Sequence, residues 1–326
     1  MANFSLTLAS VLLFFGIILL SWGADILVTG AANIAKRFGL PSILIGLTII
    51  AIGTSLPEIV ISITAALKGN PELAIGNAIG SNIANIGLVL GVTALIVPLQ
   101  MRSPTLRREL PLLFLVMLLT GTLMLNGILS RFDSAILLII AIAVLFWLIQ
   151  QGLKRKRTQD ELAAEFQKEI PKKINMLLSV FQLIGGLIIL PISSRVIVDN
   201  AVLIARYFNV SNLIIGLTII AIGTSLPELA TAIAGALKKE YDIVIGNVIG
   251  SNIFNLLVVL AIPAMFKSIS IPIYVLYRDF SFMIGITIVL YIVSFGLKGS
   301  QKTTRFEGGL LLGIYVAYLV VLYFFK

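Results

Sequence analysis

Residues 45–58 read IGLTIIAIGTSLPE, and residues 215–228 repeat them letter for letter, 170 positions later. Each copy lies deep in a long apolar run and ends on a carboxylate, Glu58 or Glu228. A charge at the bilayer centre is disfavoured by roughly 2.5–3.5 kcal/mol even on the lenient insertion scale. Two such charges, each preceded by a Gly and a Pro that interrupt a helix, predict a buried ion site. The remainder of the chain reads as the frame that brings the two copies together.

Composition sets the solvent. Of the 326 residues 59% are hydrophobic and 12% charged, more apolar side chain than a soluble domain of this size can hide. The chain is therefore read as a polytopic membrane protein. Lys and Arg outnumber Asp and Glu by 24 to 15, but they sit between apolar runs, the pattern of orientation in a bilayer and not of nucleic-acid binding. Cysteine and histidine are absent, which excludes zinc, copper, iron–sulfur and haem sites and leaves hard cations on oxygen. No cofactor is called for, and the spans offer no general base besides the two glutamates, so an enzyme is not expected. Nor does any feature require an obligate protein partner.

Apolar runs of helix-spanning length fall at 4–23, 41–67, 72–98, 109–127, 133–152, 175–205, 211–237, 241–266, 279–297 and 306–325. The first is read as a span and not as a removed signal, because no basic leader precedes it. It and the sixth are expected to continue as amphipathic helix through Ala31–Phe38 and Ala201–Phe208. The fold expected is all-α, with ten transmembrane helices arranged as two five-helix repeats. Residues 1–152 form the first repeat, 153–174 a basic linker with a short helix, and 175–326 the second repeat.

The duplication extends beyond the opening motif. Ile75–Ile83 (IGNAIGSNI) returns at Ile245–Ile253 (IGNVIGSNI), and Arg108-Glu109 returns as Arg278-Asp279. Arg131-Phe132-Asp133 matches Arg305-Phe306-Glu307 four residues out of that register. A unit of five spans enters and leaves on opposite faces, so its second copy is inverted in the membrane. Basic residues agree: with the N-terminus outside, one face receives Lys36, Arg37, Arg102, Arg107, Arg108, the linker, Lys238, Lys239, Lys298, Lys302 and Arg305. That face, linker included, is then cytoplasmic, in a cell membrane. Inverted repeats whose interrupted helices meet at the midplane are the architecture of secondary transporters.

The residue types say what such a site takes. Pro57 removes a backbone donor and clashes one turn back, freeing carbonyls around Ala51–Gly53, while Thr54 and Ser55 add hydroxyls. Ala221, Thr224, Ser225 and Pro227 repeat this before Glu228. A proline kink made only for packing, with protonated carboxyls, explains the Pro and Thr but not two glutamates. In the second motif Ser81 and Asn85, and in its copy Ser251 and Asn255, share a helix face and present oxygen to an ion or to the glutamates. Asn77, Asn82, Asn247 and Asn252 are read as helix bridges, and the glycines as packing positions. Asp25, Arg195 and Asp199 are read as structural, Arg195 and Asp199 pairing at i,i+4, with gating as the alternative. Two ionised glutamates ringed by neutral oxygen suit one Ca²⁺, which accepts 6–8 oxygens in irregular geometry, or several Na⁺, better than Mg²⁺.

These paired segments resemble the alpha repeats of the sodium/calcium exchanger, or cation/calcium antiporter, superfamily in its compact prokaryotic form. The resemblance implies a midplane cluster with Glu58 and Glu228 as shared carboxylates. It carries Thr54, Ser55, Thr224, Ser225, Ser81, Ser251 and Asn85 as oxygen ligands and the backbone carbonyls of Ala51 and Ala221. It also implies that the first and sixth spans slide across the rest to alternate access. Asn255 stands where several relatives carry Asp, which removes a third carboxyl. The function expected is sodium-driven calcium antiport, with Ca²⁺ and Na⁺ as cargo. Calcium/proton exchange at the same glutamates is the alternative, and a passive channel would use the same oxygens.

Overall fold

The computed structural model describes residues 2–68, 71–100, 106–163, 175–209, 221–295 and 302–324. α1 runs from Ala2 to Phe38, the full extent expected of a long first span. α2 (Ser42–Thr54) and α3 (Leu56–Leu67) are one span bent by 41°. α4 starts at Pro71 and reaches Ile96 through a wide π turn at Asn85–Leu90. β1 (Leu99–Gln100), α5 (Leu106–Met124), β2 (Ile128–Leu129) and α6 (Arg131–Ala163) complete the first half. The linker thus begins as a continuation of α6 as far as Ala163, and residues 164–174 lie outside the described residues.

In the second half α7 (Met176–Tyr207) is the counterpart of α1. α8 (Ala221–Thr224) and α9 (Leu226–Leu237) are what is described of the seventh expected span. α10 runs from Tyr241 to Phe266, with a π turn at Asn255–Val259. β3 (Ile269–Ser270), α11 (a π turn at Val275–Phe280 leading into Ser281–Phe295), β4 (Lys302–Thr303) and α12 (Arg305–Phe324) follow. Among the described residues seven helices are long and apolar enough to cross a membrane, eight when α2 and α3 count as one bent span. The apolar part of α5 and α9 are shorter, yet the elements follow the ten expected runs in order.

Local chemistry explains where these helices start. Ser130 and Asp133 form a reciprocal cap: the carboxylate accepts from the Ser130 N–H at 2.9 Å and the Ser130 hydroxyl accepts from the Asp133 N–H at 3.1 Å. Thr304 and Glu307 build the same box at the start of α12. The repeated Arg-Phe-acid triplet is therefore the opening turn of the last helix in each half. Asn175 caps α7 through Leu178 N–H at 3.2 Å.

The halves interlock at both ends and in the middle. β1 pairs antiparallel with β4, and β2 with β3, so each ladder joins one half to the other. Because α5 separates β1 from β2, the ladders close opposite ends of the bundle. α4 and α10 are the most enclosed spans, 78% and 89% buried over their apolar windows against 17% for α6, which faces lipid. α1 and α7 pack antiparallel, Gly16 against Ile197, Gly23 against Ile189 and Gly30 against Ser179. α2 crosses α10 so closely that a Cβ on Gly46 would lie 2.6 Å from the Ile243 carbonyl oxygen and 3.1 Å from Gly246 Cα.

Backbone cannot retreat as a side chain can, so Gly46→Ala is expected to destabilise the fold by about 1–3 kcal/mol, the range for overpacking. A thermal melt in detergent should show it, with Gly309→Ala as control. The control Cβ meets nothing nearer than Leu95 Cδ2 at 3.7 Å, so its melting temperature should not fall.

A candidate cation site between the two halves

The two breaks share one backbone conformation. Ser55 has φ −85° and ψ 8°, and Ser225 has φ −87° and ψ 5°, both in the sparsely allowed bridge region. Each break comes immediately before a Leu-Pro-Glu first turn, where a proline costs the helix nothing because its N–H would be unbonded anyway. The glutamates therefore sit in the first turns of α3 and α9, near helix N-termini that favour negative charge.

Glu58 and Glu228 are buried, at 1% and 0% exposure, and close enough for their charges to interact directly. Each is held by a hydroxyl. Ser81 Oγ donates to Glu58 Oε1 at 3.4 Å within the first half, and Ser55 Oγ donates across the halves to Glu228 Oε1 at 3.3 Å. Thr54 lies beside Glu228 as well, and its hydroxyl donates to Asn247 Oδ1 at 3.1 Å. Among the described residues no group of three or more acidic side chains forms, so the acidic charge of the pair is at most two.

The asparagines form a symmetric brace. Asn85 Nδ2 donates to Asn252 Oδ1 at 3.1 Å, and the repeat-related Asn255 Nδ2 donates to Asn82 Oδ1 at 3.3 Å. Asn77 ties α4 to α3 through the Glu58 carbonyl at 3.0 Å and Ser62 at 3.1 Å. Asn82 and Asn252 thus bridge helices, as their position off the Ser81–Asn85 face suggests. Asn85 and Asn255 each open a π turn, and the extra residue per turn sets the phase in which the rest of the span packs.

Once these bonds are made, the atoms left over are mainly oxygens. Glu58 Oε2, Glu228 Oε2, Asn85 Oδ1, Asn255 Oδ1, Ser225 Oγ, Ser251 Oγ and Thr231 Oγ1 are buried without a protein hydrogen-bond partner. Orphaned buried groups normally cost roughly 1–3 kcal/mol each, so oxygens left over on both carboxyls and on the motifs of both halves need a partner. Oxygens of this kind could hold a hard cation such as Ca²⁺ or Na⁺ and do not suit a soft metal. The Ala51 carbonyl accepts from Ser55 N–H at 3.1 Å and lies 3.4 Å from the Thr54 hydroxyl oxygen. Ala221 lies in α8, and Thr224 is buried beside the break.

Two features were not foreseen in the sequence. Ser194 of α7 donates to the Gly223 carbonyl at 2.7 Å, the acceptor that Pro227 leaves without a backbone donor. Its signal was a Ser-Ser pair in mid-span, where the first half carries Gly23-Ala24. Thr231, one turn after Glu228, adds a hydroxyl where the first half has Ile61.

Comparison with known proteins finds relatives along nearly the whole chain. The family described as sodium/calcium exchanger protein matches residues 8–150 and 178–324. Inner membrane protein YrbG of Escherichia coli (strain K12) is 42% identical, with 97% of each chain covered. Sodium/calcium exchanger MaX1 of Methanosarcina acetivorans is 30% identical, covering 98% of this chain and 99% of that one. Among solved structures, the sodium-calcium exchanger NCX_Mj soaked with Na⁺ and Ca²⁺ superposes with a TM-score of 0.81 at 32% identity, over 98% of this chain and 99% of that one.

The asparagine brace can be measured without transport. A double-mutant cycle on unfolding with Asn85→Ala and Asn252→Ala should return a coupling of about 0.6 kcal/mol, up to about 1.7, as for hydrogen bonds between membrane helices. Strict additivity would mean that the two amides do not bond.

Proposed function

This chain belongs to the sodium/calcium exchanger family of membrane transporters, and from that premise we propose that it exports Ca²⁺ in exchange for Na⁺ by alternating access. The observation that carries the proposal is the set of buried oxygens around Glu58 and Glu228 that have no protein partner. Thr54, Ser55, Ser81, Asn85, Thr224, Ser225, Ser251, Asn255 and the carbonyls of Ala51 and Ala221 complete the ligand set we infer. The names of two relatives, a sodium/calcium exchanger and a sodium-calcium exchanger structure, support the same pair of ions.

The coupling follows from charge. Two bare carboxylates in a low-dielectric interior carry a desolvation penalty of several kcal/mol each, so the empty, ionised site crosses far more slowly than a filled one. One Ca²⁺ or two Na⁺ neutralise it, and because they use the same oxygens they exclude one another. Each crossing therefore carries one cargo or the other, which is exchange. A third Na⁺ would make the cycle electrogenic and add about 2.3 kcal/mol per 100 mV of membrane potential. The distribution of basic residues supports an orientation with the N-terminus outside and the linker in the cytoplasm. Residues 1–152 and 175–326 act as the two inverted repeats, joined by 153–174.

Reconstituted vesicles decide between driving ions. An outward Na⁺ gradient should drive ⁴⁵Ca²⁺ uptake at least tenfold above the gradient-free control. Glu58→Gln and Glu228→Gln should each abolish it, since each carboxylate balances half of the dication. Uptake driven by a pH gradient and indifferent to Na⁺ would replace Na⁺ by H⁺ at the same glutamates, because buried carboxyls take up protons readily.

A further inference from the structure

In an inverted repeat, each contact between α1 and the second half has a counterpart between α7 and the first. One such pair of contacts is unequal here. Among the described residues α1 lies along α9, whereas α7 makes no comparable contact along α3. Two ion pairs fasten α1 to the far end of α9: Lys238 Nζ is 2.7 Å from Asp25 Oδ1, and Lys36 Nζ is 2.8 Å from Glu240 Oε1.

The sequence does not provide the same fastening in mirror image. At an offset of 170, Asp25 corresponds to Arg195 and Lys238 to Lys68, while Lys36 corresponds to Arg206 and Glu240 to Asn70. The mirrored arrangement would set Lys68 beside Arg195, two like charges, and Arg206 beside a neutral amide. Asp199 already holds Arg195 at 3.7 Å, so that turn of α7 offers Lys68 no net attraction. Charges on one half are thus complementary where those on the other are not.

We propose that Asp25–Lys238 and Lys36–Glu240 form a one-sided latch that biases the face to which the site opens. They favour the arrangement with α1 along α9 over the mirror arrangement with α7 along α3. The proposal rests on the alternating-access reading above. α1 and α7 move together in it, because their glycine-notched contact extends from Gly16 to Gly30 of α1. Partly exposed pairs are individually weak, shifting a two-state population by roughly fivefold or less each, and by about 25-fold together if they add. That is enough to lower apparent ion affinity at the disfavoured face in proportion to the population lost.

The chain has no cysteine, so spin labels can be placed without background. Leu67, at the end of α3, and Phe208, just past α7, are 69% and 67% exposed and suit labelling. Electron–electron double resonance in bilayers free of Na⁺ and Ca²⁺ should give one dominant separation in the otherwise unaltered chain. In Asp25→Asn/Glu240→Gln a shorter separation should grow by roughly two- to twentyfold. High choline chloride should act in the same direction, since the screening length falls to about 3 Å at 1 M. The charge swap Asp25→Lys/Lys238→Asp should return the original distribution. A distribution unchanged in the neutral variant, or a swap that behaves like that variant, overturns the latch. Because these distances need no transported ion, failure of the antiport reading would appear in the vesicle fluxes and not here.

Discussion

Two carboxyls, one from each half of the chain, meet where water does not reach, and the rest of the molecule is arranged about that meeting. Neither Glu58 nor Glu228 can stay charged there without a cation or a dense set of donors. The hydroxyls of Ser81 and Ser55 satisfy one oxygen of each. The remaining oxygens, with those of Asn85, Asn255, Ser225, Ser251 and Thr231, are what a hard cation requires. The proline breaks bring the glutamates into first turns, the asparagine brace fixes α4 against α10, and the glycine crossing of α2 on α10 brings the halves within reach. Each of these elements is a condition for convergence.

Inversion gives a symmetric site, and departures from that symmetry give its two orientations different energies. The brace obeys the two-fold relation: Asn85–Asn252 and Asn255–Asn82 are the same contact seen from each half. The surroundings do not. Ser194 occupies the Gly223 carbonyl where its counterpart is Ala24, and Thr231 stands opposite Ile61. The ion pairs at the end of α9 have no charge-complementary equivalents. On the function and latch proposed above, the symmetric part holds the cation while the asymmetric part ranks the two orientations of α1 and α7.

Much of this was legible because membrane burial makes polar residues conspicuous. A glutamate in an apolar run has few innocent explanations, and a motif repeated at 170 residues exposes the duplication without structural help. The paired Arg-Phe-acid triplets were seen as repetition, and their cause, a capping box, needed coordinates. The π turns at Asn85 and Asn255 were out of reach, since one extra residue in a turn leaves no mark on an all-apolar pattern. Ser194 and the Asp25–Lys238 pair were missed for another reason. Each is a contact between distant segments, and sequence spacing predicts only neighbours such as Arg195 and Asp199.

The central claim is that both carboxyls serve a single divalent cation at a time and surrender it to sodium. Equilibrium binding of ⁴⁵Ca²⁺ to the purified protein, titrated with Na⁺, tests it without any membrane gradient. The account predicts one Ca²⁺ per chain, displaced by Na⁺ with a Hill coefficient above one. Two Ca²⁺ per chain, or Ca²⁺ retained through the whole Na⁺ titration, would contradict it.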